Sequence, residues 1–250
     1  MVRERQGLAM RTLILVPVIH TSADLGSLAK DVTNRGIADL GEYVWEKHQA
    51  TVEKFWDCLS GYFDSMDVQG VKIYQDGMVA DGEVGQRIVL ESAKAGSRNY
   101  ELVERLIKRG AILVKTEDFK LVKEERDRLV ALTQAKSITS KIIIFIKYKL
   151  AKGRLLNKRD RFIAKRIDET LSPGETGIIF IGAYHNIKKM LAKNICVKEI
   201  KDTRKVKEYQ TLLPFCNKHK GRFEKLGDYL TSKPEGNGLA SGSQNHKVEV

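Results

Sequence analysis

Two histidines in this chain directly follow apolar runs. Leu13-Ile14-Leu15-Val16-Pro17-Val18-Ile19 leads into His20, and Gly177-Ile178-Ile179-Phe180-Ile181-Gly182-Ala183-Tyr184 leads into His185. Neutral imidazole nitrogens together with carboxylate oxygens suit Zn, Mn, Co or Fe. An ion held this way acidifies a bound water, and a spare carboxylate can take the proton. Asp76 follows Val71-Lys72-Ile73-Tyr74, with Asp81 and Glu83 a few residues on, and Thr116, Glu117 and Asp118 follow Ala111-Ile112-Leu113-Val114. The expected metal donors are His20, His185 and Asp76, and Asp76 or Glu83 supplies the working carboxylate. Asp76-Gly77 and Asp81-Gly82 are also ordinary turn dipeptides. Glu117 and Asp118 serve equally well as a first-turn charge and a helix cap. Its place directly after a strand makes Asp76 the better acid. His48, His219 and His246 lie in helical, basic or tail contexts and stand outside this set.

The elements that must position these residues read as follows. Short apolar runs rich in β-branched residues and bounded by glycine are buried strands. This gives strands before His20, Asp76, Thr116 and His185, and another at Ile195-Cys196-Val197. Between them, apolar residues recur at helical spacing. One long helix is expected over 37–66, a helical stretch over 85–109 interrupted at Gly96, and another over 119–151 broken near 137–140. A separate helix follows over 158–171, ended by Ser172-Pro173-Gly174, and a short one runs through Met190 and Leu191. Strands alternating with helices predict an α/β fold: a mainly parallel sheet flanked by helices, with a helical insertion in the middle. Ligands of such sheets collect at the carboxyl ends of the strands, where both histidines lie. Residues 1–10 read as an extension and 11–231 as a single domain. The Gly, Ser and Asn-rich residues 232–250 read as a disordered tail.

The chain has 250 residues, a formal charge of +12 and three cysteines. Cys58, Cys196 and Cys216 are odd in number and widely spaced, against a disulfide framework or zinc-thiolate site and in keeping with a reducing cytoplasm. The first ten residues hold no apolar segment of signal-peptide length. The longest apolar stretch, 142–146, is far too short to span a bilayer, so no membrane partner is expected. Basic residues are densest from Lys147 to Arg166, which makes nucleic acid a candidate partner beside the plainer reading of a solvated face. No phosphate-binding glycine loop and no Gly-x-Ser-x-Gly elbow occurs.

The segment Arg159-Asp160-Arg161-Phe162-Ile163-Ala164, followed about twenty residues later by Gly182-Ala183-Tyr184-His185, resembles the TraB/Tiki, erythromycin-esterase and ChaN-like superfamily. Members pair an Arg-(Asp/Asn)-x-x-x-Ala helix with a strand ending in Gly-x-x-His, and carry a second Gly-x-x-His after an N-terminal strand. Here Pro17-Val18-Ile19-His20 keeps that histidine and has proline in place of the glycine. The resemblance implies two similar α/β halves meeting at a central site. It implies metal-dependent peptide hydrolysis in the Tiki branch, metal-independent ester hydrolysis in the esterase branch, and haem binding in the ChaN branch. Carried over, His20 and His185 are site residues and Arg159 contacts an anion or oxyanion. The family glutamate has three competing counterparts: Asp76, Glu83 and Glu91. The expected function is a divalent-metal-dependent hydrolase of a small-molecule or peptide substrate. The alternative is a binding or regulatory protein that holds a small anion, nucleotide or haem in the same pocket without turnover.

Overall fold

A computed structural model describes residues 9–21, 23–24, 29–134 and 138–234, with the side chains at 31, 32, 129, 131–134 and 138–152 excepted. The extension over 1–8 and the tail from 235 onward lie outside the described residues. Five strands form one sheet: β1 (Arg11–Val18), β2 (Lys72–Gln75), β3 (Ile112–Val114), β4 (Thr176–Gly182) and β5 (Ile195–Glu199). Their order is β3-β2-β4-β1-β5, and every pair is parallel. The expected α/β fold is the one observed. Parallel sheets are covered on both faces, which is why β1 and β4 are almost continuously apolar.

Alternate residues divide between two cores. On the first face Ile14, Val16, Val18, Ile73, Ile178 and Phe180 meet the helices α2 (Glu42–Asp64), α4 (Arg98–Lys108), α7 (Thr203–Leu212) and α8 (Lys220–Thr231). On the second face Leu13, Leu15, Tyr74, Ile179 and Ile181 pack on Ile163, Ile167 and Leu171 of the helix Ile138–Thr170. β1 and β2 send their chains to the first face, whereas β4 sends its chain into the 3₁₀ turn Ile187–Lys189, whose Ile187 packs in the second core. Their carboxyl ends therefore form the reversal point where an open α/β sheet makes a crevice.

Several helices differ from expectation. The single helix expected over 37–66 is two, α1 (Ala29–Leu40) and α2, because Gly41 at φ 83° breaks the backbone while the apolar spacing continues through it. The interruption expected at Gly96 is present, where φ 89° separates α3 (Gly82–Lys94) from α4. Beyond α5 (Phe119–Gln134), residues 135–137 of the expected break lie outside the described residues. The separate helix expected from Lys158 is the last part of one 33-residue helix, α6 (Ile138–Thr170). The short helix after His185 is a single 3₁₀ turn, Ile187–Lys189. Among the described residues no helix is long and apolar enough to cross a membrane.

Pro17 sits in a strand with neighbours on both sides, where a missing N–H normally costs a ladder bond. In β1 the even-numbered amides point to β4, as Thr12 shows by donating to the Glu175 carbonyl at 3.0 Å. The odd-numbered ones point to β5, as Arg11 shows by donating to Asn194 at 2.9 Å. Pairing with β5 ends at Leu15. Pro17 therefore loses no partner, and the β5 side of the end of β1 is left open.

Candidate functional site

Strand ends and the α6 helix converge on one buried charge cluster. Gly182 to His185 is a tight turn, with the His185 N–H on the Gly182 carbonyl at 3.0 Å. Asp160, on α6, accepts the His185 Nδ1 proton at 2.5 Å through one oxygen and the Asn186 N–H at 2.9 Å through the other. The other ring nitrogen, Nε2, stands 3.3 Å from Oδ2 of Asp76. That same oxygen accepts the Gly182 N–H at 3.0 Å, while Oδ1 accepts from Nη2 of Arg159 at 2.6 Å. A Cβ at 182 would lie 3.2 Å from Asp76 Oδ2, so a larger residue would push on that carboxylate.

Arg159 spends its guanidinium on carboxylates. Nε donates to Glu117 at 2.6 Å, Nη2 donates to Glu117 as well as Asp76, and Nη1 pairs with Glu125. Its side chain is 8% exposed and that of Glu117 is 0% exposed. Arg159 is therefore buried and not part of the exposed basic face, and the guanidinium expected to contact an anion or oxyanion is directed at Asp76, Glu117 and Glu125. Burial pushes Glu117 above its ordinary value, Arg159 pulls against this, and the Asp76 carboxylate adds to the rise. Burial also opposes ionisation of Asp76, yet His185 and Arg159 hold it well below the usual carboxylate range. For His185 burial favours the neutral ring, but Asp76 and Asp160 outweigh it and push the value up to about 10.

His20 occupies a different setting. Its side chain is 52% exposed, and Nδ1 lies 3.7 Å from Oδ2 of Asp24. That oxygen is held by the Thr21 N–H at 2.6 Å and the Thr21 hydroxyl at 3.0 Å, and Ser97 donates to the other. Desolvation lowers the His20 value, but Asp24 and Asp76 together raise it above the ordinary one, with a smaller opposing effect of His185. The two histidines and Asp76 thus sense one another across the rim. Tyr100, on α4, belongs to the same neighbourhood: desolvation and the charges of Asp76, Asp24 and Glu117 raise its phenol.

Two of the three expected metal donors, His185 and Asp76, are therefore adjacent, and His20 is held by Asp24 beside them. Among the described residues no three His, Cys, Asp or Glu side chains are already grouped around one point. Glu83 is corrected: it is exposed in the first turn of α3 and forms no ion pair with Arg159 or either histidine among the described residues. Asp81 and Glu91 are exposed as well. Glu117 is fully buried, and its place after β3 obeys the same strand-end rule as Asp76. Asp118 does cap α5, accepting the Lys120 N–H at 2.7 Å. On the basic stretch, the side chains of Lys147, Lys149 and Lys152 lie outside the described residues, while Arg154, Lys158 and Arg161 are exposed.

The donor set suits a divalent ion. With all four carboxylates ionised, Asp76, Glu117, Glu125 and Asp160 face one guanidinium and one imidazolium, two negative charges in excess. Donors about 2.0–2.1 Å from a tetrahedral ion stand roughly 3.3 Å apart, which is the Nε2 to Oδ2 separation here. Asp160 is placed as a carboxylate on the far nitrogen of a metal-bound histidine would be, and an ion on Nε2 would have to displace the proton that Asp76 stabilises there. Comparison of the chain with protein-family models, curated proteins and solved structures gives no match. The functional reading rests on the geometry.

Proposed function

We propose that the chain is a divalent-metal-dependent hydrolase of peptide or ester bonds, of the TraB/Tiki-like kind, centred at the carboxyl ends of β1, β2 and β4. The observation that carries the reading is the 3.3 Å gap between His185 Nε2 and Asp76 Oδ2 inside a cluster with excess negative charge. An anion, nucleotide or haem propionate would add charge of the wrong sign to that cluster, so catalysis on a metal is favoured over the anion-binding alternative.

His185 and Asp76 would hold the ion. When bound it would supply Lewis acidity and an acidified water. Asp160 keeps the His185 Nδ1 proton in place, and Arg159 fixes Asp76 by its Oδ1, leaving Oδ2 directed at the ring. His20 is the exposed imidazole of the site. Because Asp24 faces its Nδ1, Nε2 is the atom placed to take a proton from the attacking group and return it to the leaving group.

The test is reconstitution of EDTA-treated protein with Mn, Co, Zn or Fe, followed by metal analysis and a panel of peptide and ester substrates. Wild type is expected to retain about one ion per chain and to gain turnover. His185→Ala and Asp76→Asn lose both, and His20→Ala keeps the ion but loses turnover. Equal metal content and equal activity in His185→Ala and wild type would overturn the proposal.

A further inference from the structure

The outward side of α6 carries a row of positive charge. Arg154, Lys158, Arg161 and Lys165 follow one another at spacings of four, three and four, so they share one face of the helix. All four are exposed, whereas Ile163 and Ile167 on the opposite side pack in the second core. At 1.5 Å per residue the row is about 16 Å long, and the Cβ atoms of neighbouring members stand about 5–6 Å apart. Arg159 and Asp160 turn away from it, to Glu117 and His185, so the row is separate from the buried cluster.

Other helices of this chain balance their exposed charges at the same spacing. Arg35 pairs with Asp39 on α1, Lys108 with Glu104 on α4, and Lys123 with Asp127 and Arg128 with Glu124 on α5. Among the described residues Arg154, Lys158 and Arg161 have no such partner. Lys165 lies 3.6 Å from Glu169, an acid that sits closer to Arg166, at 3.0 Å. Like charges three and four residues apart work against a helix, so the row weakens α6 unless an anion lies along it. Beside Arg161 and Lys165 runs a groove of about 370 Å³, completed by Ala164, Met190, Ala192 and Asp168. The charge of Asp168 is met by Arg11 at 2.7 Å. Lys189 and Lys193, next to Met190 and Ala192 in the chain, are exposed and add cations on that bank.

We infer that this face of α6 docks the phosphate backbone of double-stranded DNA without regard to sequence. The row matches the rise of about five nucleotides of one strand at about 3.4 Å each. A helix about 10–12 Å across lies along the major groove of B-form DNA, about 12 Å wide, and is shut out of the narrow one of A-form RNA. Single strands are gripped on aromatic platforms, but no exposed aromatic side chain stands along the row, where Phe162 is half-buried. A helix that lies on a bilayer sinks its apolar side into the lipid, and that side of α6 is committed to the sheet.

The test is fluorescence anisotropy of a labelled DNA duplex of about 20 base pairs and arbitrary sequence, titrated with the full chain from about 50 to about 200 mM KCl. Four phosphate contacts make the affinity fall roughly a hundredfold over that range. A Lys158→Gln, Arg161→Gln double variant loses two of them, so binding at the lowest salt weakens about a hundredfold and the fall with salt shrinks to about tenfold. Its Tm is expected to stay at or above that of wild type, because like-charged neighbours have been removed. Lys220→Gln with Lys225→Gln takes the same charge from α8, on the other face of the sheet, and is expected to bind as wild type does. No binding at the lowest salt, an affinity independent of salt, or equal weakening by the two double variants would overturn the inference. So would tighter binding of a single DNA strand, an RNA duplex or phosphatidylserine vesicles.

Discussion

Replacing Arg159 by Met removes a guanidinium that faces three carboxylates and leaves a side chain of similar length. At 2.6 Å from both Glu117 and Asp76, each contact is worth about 6 kcal/mol of gross attraction at an effective dielectric of about 20. Much of that offsets the cost of burying the charges, so the measurable quantity is the penalty of stranding the partners. Glu117 is fully buried and Asp76 is 14% exposed, while Glu125 at 23% is better screened. Removing one member of such a buried group costs about 3–5 kcal/mol, or roughly 6–20 °C in Tm for a domain of this size. The loss has a pH signature. Without Arg159 the carboxyl of Glu117, already raised by burial, rises further above its unfolded value while His185 still holds Asp76 down, so at Glu117 the folded variant binds more protons than the unfolded chain. Its stability therefore falls as pH rises, and its deficit against wild type shrinks between about pH 8 and about pH 5. Urea titrations followed by circular dichroism at several pH values measure both effects. A deficit below about 1 kcal/mol, or one constant across that range, would refute the assignment of Arg159 as the keystone of the cluster.

Three further outcomes follow from the same geometry. Asp160→Asn weakens metal binding by about ten- to a hundredfold in calorimetric titration, the usual cost of losing a carboxylate behind a metal-bound histidine; unchanged affinity would contradict its role. His48 has a folded value of about 4 against an ordinary 6.5, so its contribution is complete above about pH 6.5 and is lost as pH falls towards 4. The amount is on the order of 3 kcal/mol, and His48→Phe should remove that acid limb from the pH–stability curve. Gly36→Ala places a methyl 2.4 Å from the Trp45 ring and should cost about 1–3 kcal/mol by overpacking; a neutral effect in denaturant titration would show that α1 does not hold Trp45.

The sheet was legible because β1 and β4 are buried on both faces and hence apolar at nearly every position. The strand-end rule singled out His20, Asp76 and His185, and the family resemblance singled out Arg159, while Asp160 stood in the same motif with no role assigned to it. The roles of the last two were less legible. Successive helical residues point about 100° apart, so on α6 Arg159 turns to the acids after β2 and β3 while Asp160 turns to His185. Residue spacing cannot separate two such directions without the neighbouring strands. Glu117 was obscured because a carboxylate in front of a helix reads equally as a first-turn charge, though its signal, an acid directly after β3, was present. Gly41 split a helix whose apolar period runs on undisturbed, and only its positive φ marks the break. Tyr100 came into the site through the packing of α4, which no local pattern announces. The helices α7 and α8 carry apolar stripes, but no motif pointed to them.

Anomalous diffraction from crystals soaked in a manganese or zinc salt tests the central claim most directly. A single strong peak is expected between His185 Nε2 and Asp76 Oδ2, about 2.0–2.2 Å from each, with the Asp160 contact to Nδ1 retained. A peak elsewhere, or none while Nε2 still faces Asp76 across the 3.3 Å gap, would contradict it.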